Sequence, residues 1–261
     1  MNIQSSIHHA VPSQLAIHHA SFLRPFKWLS LAWQDMNLHP YASFGYGLIV
    51  ASFTLVALLI TSVHLYVIVA AVTGFMFIGP ILAAGLCELS RRSERGESVS
   101  FDDSLKGLNR SQASLTQLAS ILLGLSVVWL FVSSLVLFAT VGNVVPTLEQ
   151  ALWGNFFDSL TPLQIMLYTV IGGLLAVVVF FLSVVSVPAI LDSFVTAQQA
   201  IATSIEVVIE NPVTMLVWAS LIVALSVIGF ATFLIGMVVI YPLLGHATWH
   251  AYRDLVEDKS F

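Results

Sequence analysis

Four long windows of this chain hold no Asp, Glu, Lys or Arg: Phe44–Leu86, Leu118–Val141, Leu163–Leu191 and Val213–Leu244. Soluble domains carry a charged residue about every fourth position. A helix crossing the hydrocarbon of a bilayer needs about 20 successive apolar residues. The first and last windows are long enough for two crossings each. The chain therefore reads as all-α and polytopic, and its 9% charged residues and mean hydropathy of +0.94 agree. At 261 residues, membrane segments and connectors use up the length, without a separate soluble domain.

The expected spans are Phe44–Ser62, Leu65–Leu86, Leu118–Val141, Leu163–Leu191, Val213–Gly229 and Ala231–His250. Val213–Leu244 would run roughly 48 Å as one straight helix, too far for a single crossing of about 30 Å. A tight hairpin at Ile228–Thr232, centred on Gly229, resolves this, and Thr61–His64 does the same in the first pair. Backbone groups left unpaired in hydrocarbon are costly, so both turns belong near an interface.

Basic residues set the orientation. With six spans, Arg24, Lys27, Arg91, Arg92, Arg95, Lys106, Arg110, Arg253 and Lys259 all fall on one side. The opposite connections, including Gly142–Pro162, hold none. This predicts cytoplasmic N- and C-termini, and an odd number of crossings would break the partition. Residues 1–21 have no Lys or Arg and no continuous apolar core, so they read as a disordered cytoplasmic tail rather than a cleavable leader. Residues 22–261 form one six-helix membrane domain.

That domain repeats a plan over about 22–92, 101–192 and 193–255: an amphipathic helix, a polar break, an outgoing span, and a returning span with a proline. The first stripe is Phe22, Phe26, Leu29, Trp33 and Met36, with the break His39-Pro40 and the returning Pro80. The second is Phe101, Leu105 and Leu108, with the break Asn109–Gln112 and Pro188. The third is Phe194, Ile201, Ile205 and Val208, with Asn211-Pro212 and Pro242. The amphipathic pieces are expected to lie in the cytoplasmic interface. Within Gly142–Pro162, Thr147–Asp158 is a candidate surface helix started by Pro146.

Few residues invite chemistry. His246 and His250, four apart, share a helical face, a spacing metal ligands use, and they are the candidate metal residues. A helix end where His, Trp249 and Tyr252 meet headgroups accounts for them better. The repeated Ile-His-His-Ala at Ile7–Ala10 and Ile17–Ala20 belongs to the tail. Ionisable residues are confined to span ends, as with Glu88 and Asp192, whereas a charged-substrate transporter would place them at mid-depth. The single Cys87 excludes an intramolecular disulfide and a CxxC motif. No nucleophile-and-base spacing occurs, so no catalysis and no cofactor is expected, and nothing points to nucleic acid.

The run Pro242–Leu255, the Asn211-Pro212 junction, and Gly79–Arg92 followed by Glu94-Arg-Gly-Glu97 resemble a bacterial family of predicted integral membrane proteins, domain of unknown function 2189. The resemblance runs from about Arg24 and implies a bacterial inner-membrane protein. Some family members carry the label putative cytochrome c oxidase subunit. This chain lacks the mid-depth histidines of the catalytic oxidase subunit and the paired cysteines of the copper-bearing one. The label then implies an accessory or assembly role. The expected function is a non-catalytic accessory or scaffold subunit, in contact with lipid and with a membrane-protein partner or further copies of itself. The alternatives are a small neutral-solute carrier or channel, and a haem- or metal-binding redox subunit using His246 and His250.

Overall fold

The computed structural model describes residues 15–60, 79–141, 161–232 and 234–257. The expected turns at 61–64 and most of the second span, the 142–160 connection with its surface helix, and Lys259 lie outside these residues. The described chain is helical apart from connectors and one short strand pair. Its elements are β1 (Ala16–Ile17), α1 (Arg24–Leu38), α2 (Pro40–Ile60), α3 (Ala84–Glu94), α4 (Phe101–Arg110), α5 (Gln112–Val141) and α6 (Pro162–Ser183). They continue with α7 (Ser186–Ser193), α8 (Ala197–Glu210), α9 (Pro212–Ala231), α10 (Met237–Leu255) and β2 (Val256–Glu257).

Three stretches are long and apolar enough to cross a membrane: Gln112–Val132, Thr169–Ser193 and Pro212–Ala231. Pro40–Val56 is a shorter apolar helix. Thr169–Ser193 is interrupted at Val184–Val185, just before Pro188, whose missing N–H removes a helix bond.

The short helices α1, α4 and α8 each run into a long helix through a single residue. His39, Ser111 and Asn211 hold φ/ψ of −130°/57°, −112°/19° and −124°/50°. These lie outside the helical region, and at His39 and Asn211 the following proline imposes that restriction. Each short helix then packs on the returning helix of the stretch before it: α4 on α3, α8 on α7, and α1 on α10. The three returning helices α3, α7 and α10 pack on one another. Leu86, Cys87, Ala189, Ile190 and Ala247 are fully buried there. A Cβ on Gly245 would fall on the Leu86 side chain, so α3 and α10 meet closely because that residue is glycine.

The α1–α10 contact joins the start of the chain to its end. Ala16 and Ile17 pair antiparallel with Glu257 and Val256, and the His18 N–H donates to the Leu255 carbonyl at 2.9 Å. Asn211 Oδ1 accepts from the Ala20 N–H at 2.9 Å, and its Nδ2 donates to the His18 carbonyl at 3.1 Å. Thr214 donates to the Ala20 carbonyl at 2.7 Å. Residues 15–20 are therefore docked, with Leu15 buried, which corrects the expected disordered tail through 21. Their partners lie nearly 200 residues away, beyond any local sequence signal. Asn211→Ala should cost about 1 kcal/mol and expose 15–21 to protease, a change that limited proteolysis measures.

One further expectation is corrected. The last hairpin does not turn at Gly229, which lies inside α9 where a Cβ would strike Met237. The turn falls at 232–236, where Thr232 Oγ1 accepts from the Gly236 N–H at 2.9 Å and Leu234 adopts φ 68°. On α1 the buried face is Pro25, Trp28, Ala32 and Met36, while Phe22, Phe26 and Trp33 of the expected stripe point outward. Periodicity cannot tell two apolar faces apart when one meets protein and the other does not.

Candidate functional site

The polar residues gather at one end of the long helices, where α1, α3, α4, α7 and α10 meet. Glu88 on α3 is fully buried, and three guanidiniums converge on it. Arg91 binds it in bidentate fashion, Nε at 2.6 Å and Nη2 at 2.7 Å. Arg92 Nε reaches Oε1 at 2.9 Å, and Arg110 Nη2 at the end of α4 reaches it at 2.8 Å. Arg91 and Arg92 follow Glu88 by three and four residues, which puts them on the same helical face. Removing a charge from water costs several kcal/mol per ion, and four charge-assisted bonds offset it. A Cβ on Gly107 would collide with the Glu88 carboxylate, so the small residue on α4 makes the room.

A second group joins all three returning helices. Asp192 accepts from Arg95 at 2.7 Å and pairs with Arg253 at 3.5 Å. Glu94 accepts from Trp249 Nε1 at 2.9 Å and Arg253 Nε at 3.1 Å. With Arg24 on Asp254, every arginine in the chain has a carboxylate partner.

The two candidate histidines lie in a third group and take different partners. His246 is fully buried; its Nε2 meets Ser43 Oγ at 2.9 Å and its Nδ1 meets Ser90 Oγ at 2.7 Å. Ser90 also donates to Asp35 Oδ2 at 2.5 Å, and His250 Nε2 meets the same oxygen at 3.0 Å. An ionised carboxylate only accepts, so Ser90 spends its one proton on Asp35 and must accept from His246 Nδ1–H. His246 Nε2 then accepts from the Ser43 hydroxyl. That ring is neutral, held in one tautomer, with both nitrogens engaged. Among the described residues, no group of three or more His, Cys, Asp or Glu is arranged to hold a metal ion.

Burial works to raise the Asp35 pKa, but hydrogen bonds from His250 and Ser90 outweigh it and hold the group below the usual carboxylate range. Asp254 behaves alike: burial opposes ionisation, while Arg24 and Trp28, the latter at 2.9 Å, bring its pKa down. A carboxyl whose pKa is depressed on folding stabilises the fold at pH above its unfolded value, about 3.9. That contribution disappears as pH falls through the folded value. Thermal unfolding in detergent should therefore lose stability below about pH 4, and Asp254→Asn should remove part of that acid dependence.

Sequence reasoning saw Glu88 and Asp192 only as charges at span ends. The signal for Glu88 was present: a carboxylate just past an apolar window, with arginines three and four residues on. Asp35 and Asn211 carried no such signal, since their partners sit on distant elements.

Residues 67–192 match a family model described as predicted integral membrane protein, DUF2189. The match covers just under half of the chain. That segment contains Glu88, its three arginine partners, Arg95 and Asp192, and stops short of His246 and His250. It is narrower than the resemblance read from the sequence, which extends to Leu255. No curated protein and no solved structure matches the chain.

Proposed function

We propose that this DUF2189 protein is a six-span protein of the bacterial inner membrane, with both termini cytoplasmic, acting as a non-catalytic accessory or scaffold subunit of a membrane complex such as a respiratory oxidase. The observation that carries this reading is the polar network: Asp192, the buried Glu88 and every arginine are taken up in ion pairs that tie the ends of α3, α4, α7 and α10 together. All eight described basic residues lie in segments that six spans would put on the cytoplasmic side.

Duplication of the helix pairs also has support beyond the matching junctions, at two of the three returning helices. Glu88 follows Pro80 by eight residues and meets Gly107, four before Ser111. His250 follows Pro242 by eight and meets Asp35, four before His39. The chemistry differs and the position is the same.

A solute carrier needs polar groups free to meet its cargo. The hydroxyls of Thr54, Ser126, Ser183 and Ser220 instead donate to carbonyls one turn back in their own helices. The outer faces of the long helices expose Phe53, Phe131, Leu174 and Leu216, which suit lipid or a neighbouring membrane protein. Purification from native membranes in mild detergent, followed by mass spectrometry, tests the reading. Stoichiometric membrane-protein companions support it. A homogeneous preparation of this chain alone, active in neutral-solute uptake after reconstitution, overturns it.

A further inference from the structure

The helices α1, α4 and α8 each present three sectors. Against the protein lie Trp28, Ala32 and Met36 on α1, Ser104 and Gly107 on α4, and Ala200, Ser204 and Val207 on α8. Turning by about 100° per residue, an apolar sector comes next: Phe26, Leu29 and Trp33, then Phe101, Leu105 and Leu108, then Ile201, Ile205 and Ile209. A polar sector completes the turn: Lys27, Ser30 and Gln34; Asp102 and Lys106; Gln199, Glu206 and Glu210. The order protein, apolar, polar runs in the same sense about all three axes. Leu29, Phe101, Leu108 and Ile201 pack partly on the protein, whereas Phe26, Trp33, Leu105 and Ile209 are exposed. An exposed apolar edge lying between the protein and a polar face calls for a second apolar medium.

We propose that the three helices form a collar lying in the plane of one leaflet, their second sectors in its acyl-chain region and their third sectors in water. The apolar sector of each helix leads through a single junction residue into a long apolar helix, so the collar continues the lipid-facing surface of the bundle. Six spans put all three helices on the same membrane side, so this step rests on the six-span reading above. The polar sectors carry both signs, so burial of apolar side chains, rather than attraction to anionic headgroups, holds the collar in place. The protein is then wider in that leaflet than in the other.

The test uses the full chain in phosphatidylcholine vesicles with single nitroxide labels. Phe26, Leu105 and Ile209 report the apolar sectors; Lys27, Lys106 and Glu206 report the polar ones. All six are exposed, so a label disturbs little packing, and the native Cys87 is buried. The first three labels should collide more with oxygen than with a water-soluble nickel chelate, and the last three should show the reverse. Apolar-sector labels more accessible to nickel overturn the collar. If the polar-sector positions, as single cysteines, react with an impermeant reagent from opposite sides of the membrane, the six-span reading fails as well. Reaction from one side with wet apolar sectors rejects the collar alone.

Discussion

Glu88→Gln should be among the most damaging single substitutions in this chain. The change keeps the shape but removes the charge that Arg91, Arg92 and Arg110 share, and it turns one of the two acceptor oxygens into an N–H donor facing the guanidiniums. Arg91 already has one buried nitrogen, Nη1, with no hydrogen-bond partner, so its tolerance for further loss is small. Breaking a buried ion pair from one side costs about 3–5 kcal/mol, which for a chain of this size lowers the melting temperature by roughly 10 °C. Arg110→Gln is the internal control. Arg110 is about half exposed, and the loss of one partially solvated partner should cost no more than about 1 kcal/mol. Thermal unfolding of the two variants in the same detergent decides the matter. Equal, small shifts would mean that the node contributes little to the fold.

His246→Ala should come second, at about 3 kcal/mol. It empties a fully buried ring site, leaves the buried Ser43 hydroxyl without its His246 partner and takes one of its two partners from Ser90, which keeps its bond to Asp35. His246→Asn should recover part of the loss, because an amide N–H can still donate to Ser90. Metal analysis of the purified protein separates this from ligation: a stoichiometric transition metal, lost on substitution, would make the ring a ligand rather than a joint in the fold. His250→Ala should be milder, because His250 is partly exposed and Asp35 keeps the Ser90 bond.

The helical character was legible, and so were three stretches long and apolar enough to cross a membrane, because these rest on charge-free length, which no tertiary contact can disguise. The junctions at His39-Pro40 and Asn211-Pro212 were legible for the same kind of reason, since proline acts on its immediate neighbour. What failed was anything decided by a partner. The final turn moved from Gly229 to 232–236 because glycine serves close helix contact as readily as a turn. The stripe on α1 is divided, with Met36 buried and Phe22, Phe26 and Trp33 outward, because the face turned away from the protein is apolar too. The polar network was hidden most deeply: Asp35 reads as an ordinary surface charge until α3 and α10 bring Ser90 and His250 to it. The residues that looked most like a site, His246 and His250, each take a separate protein partner. Glu88, noted only as a charge at a helix end, is the centre of the largest ionic group.

In the proposed six-span arrangement, three helix pairs stand side by side in one orientation, with all basic segments and both chain ends on the cytoplasmic side. Sidedness measures this directly. Single cysteines placed at Lys27, Lys106, Arg253 and within 147–158 would be exposed to a membrane-impermeant thiol reagent on intact cells. The account predicts reaction at 147–158 alone, with the other three modified only after the membrane is opened. Reaction at Lys27 or Arg253 in intact cells, or protection of the 147–158 segment under conditions where it reacts freely in opened cells, would contradict it.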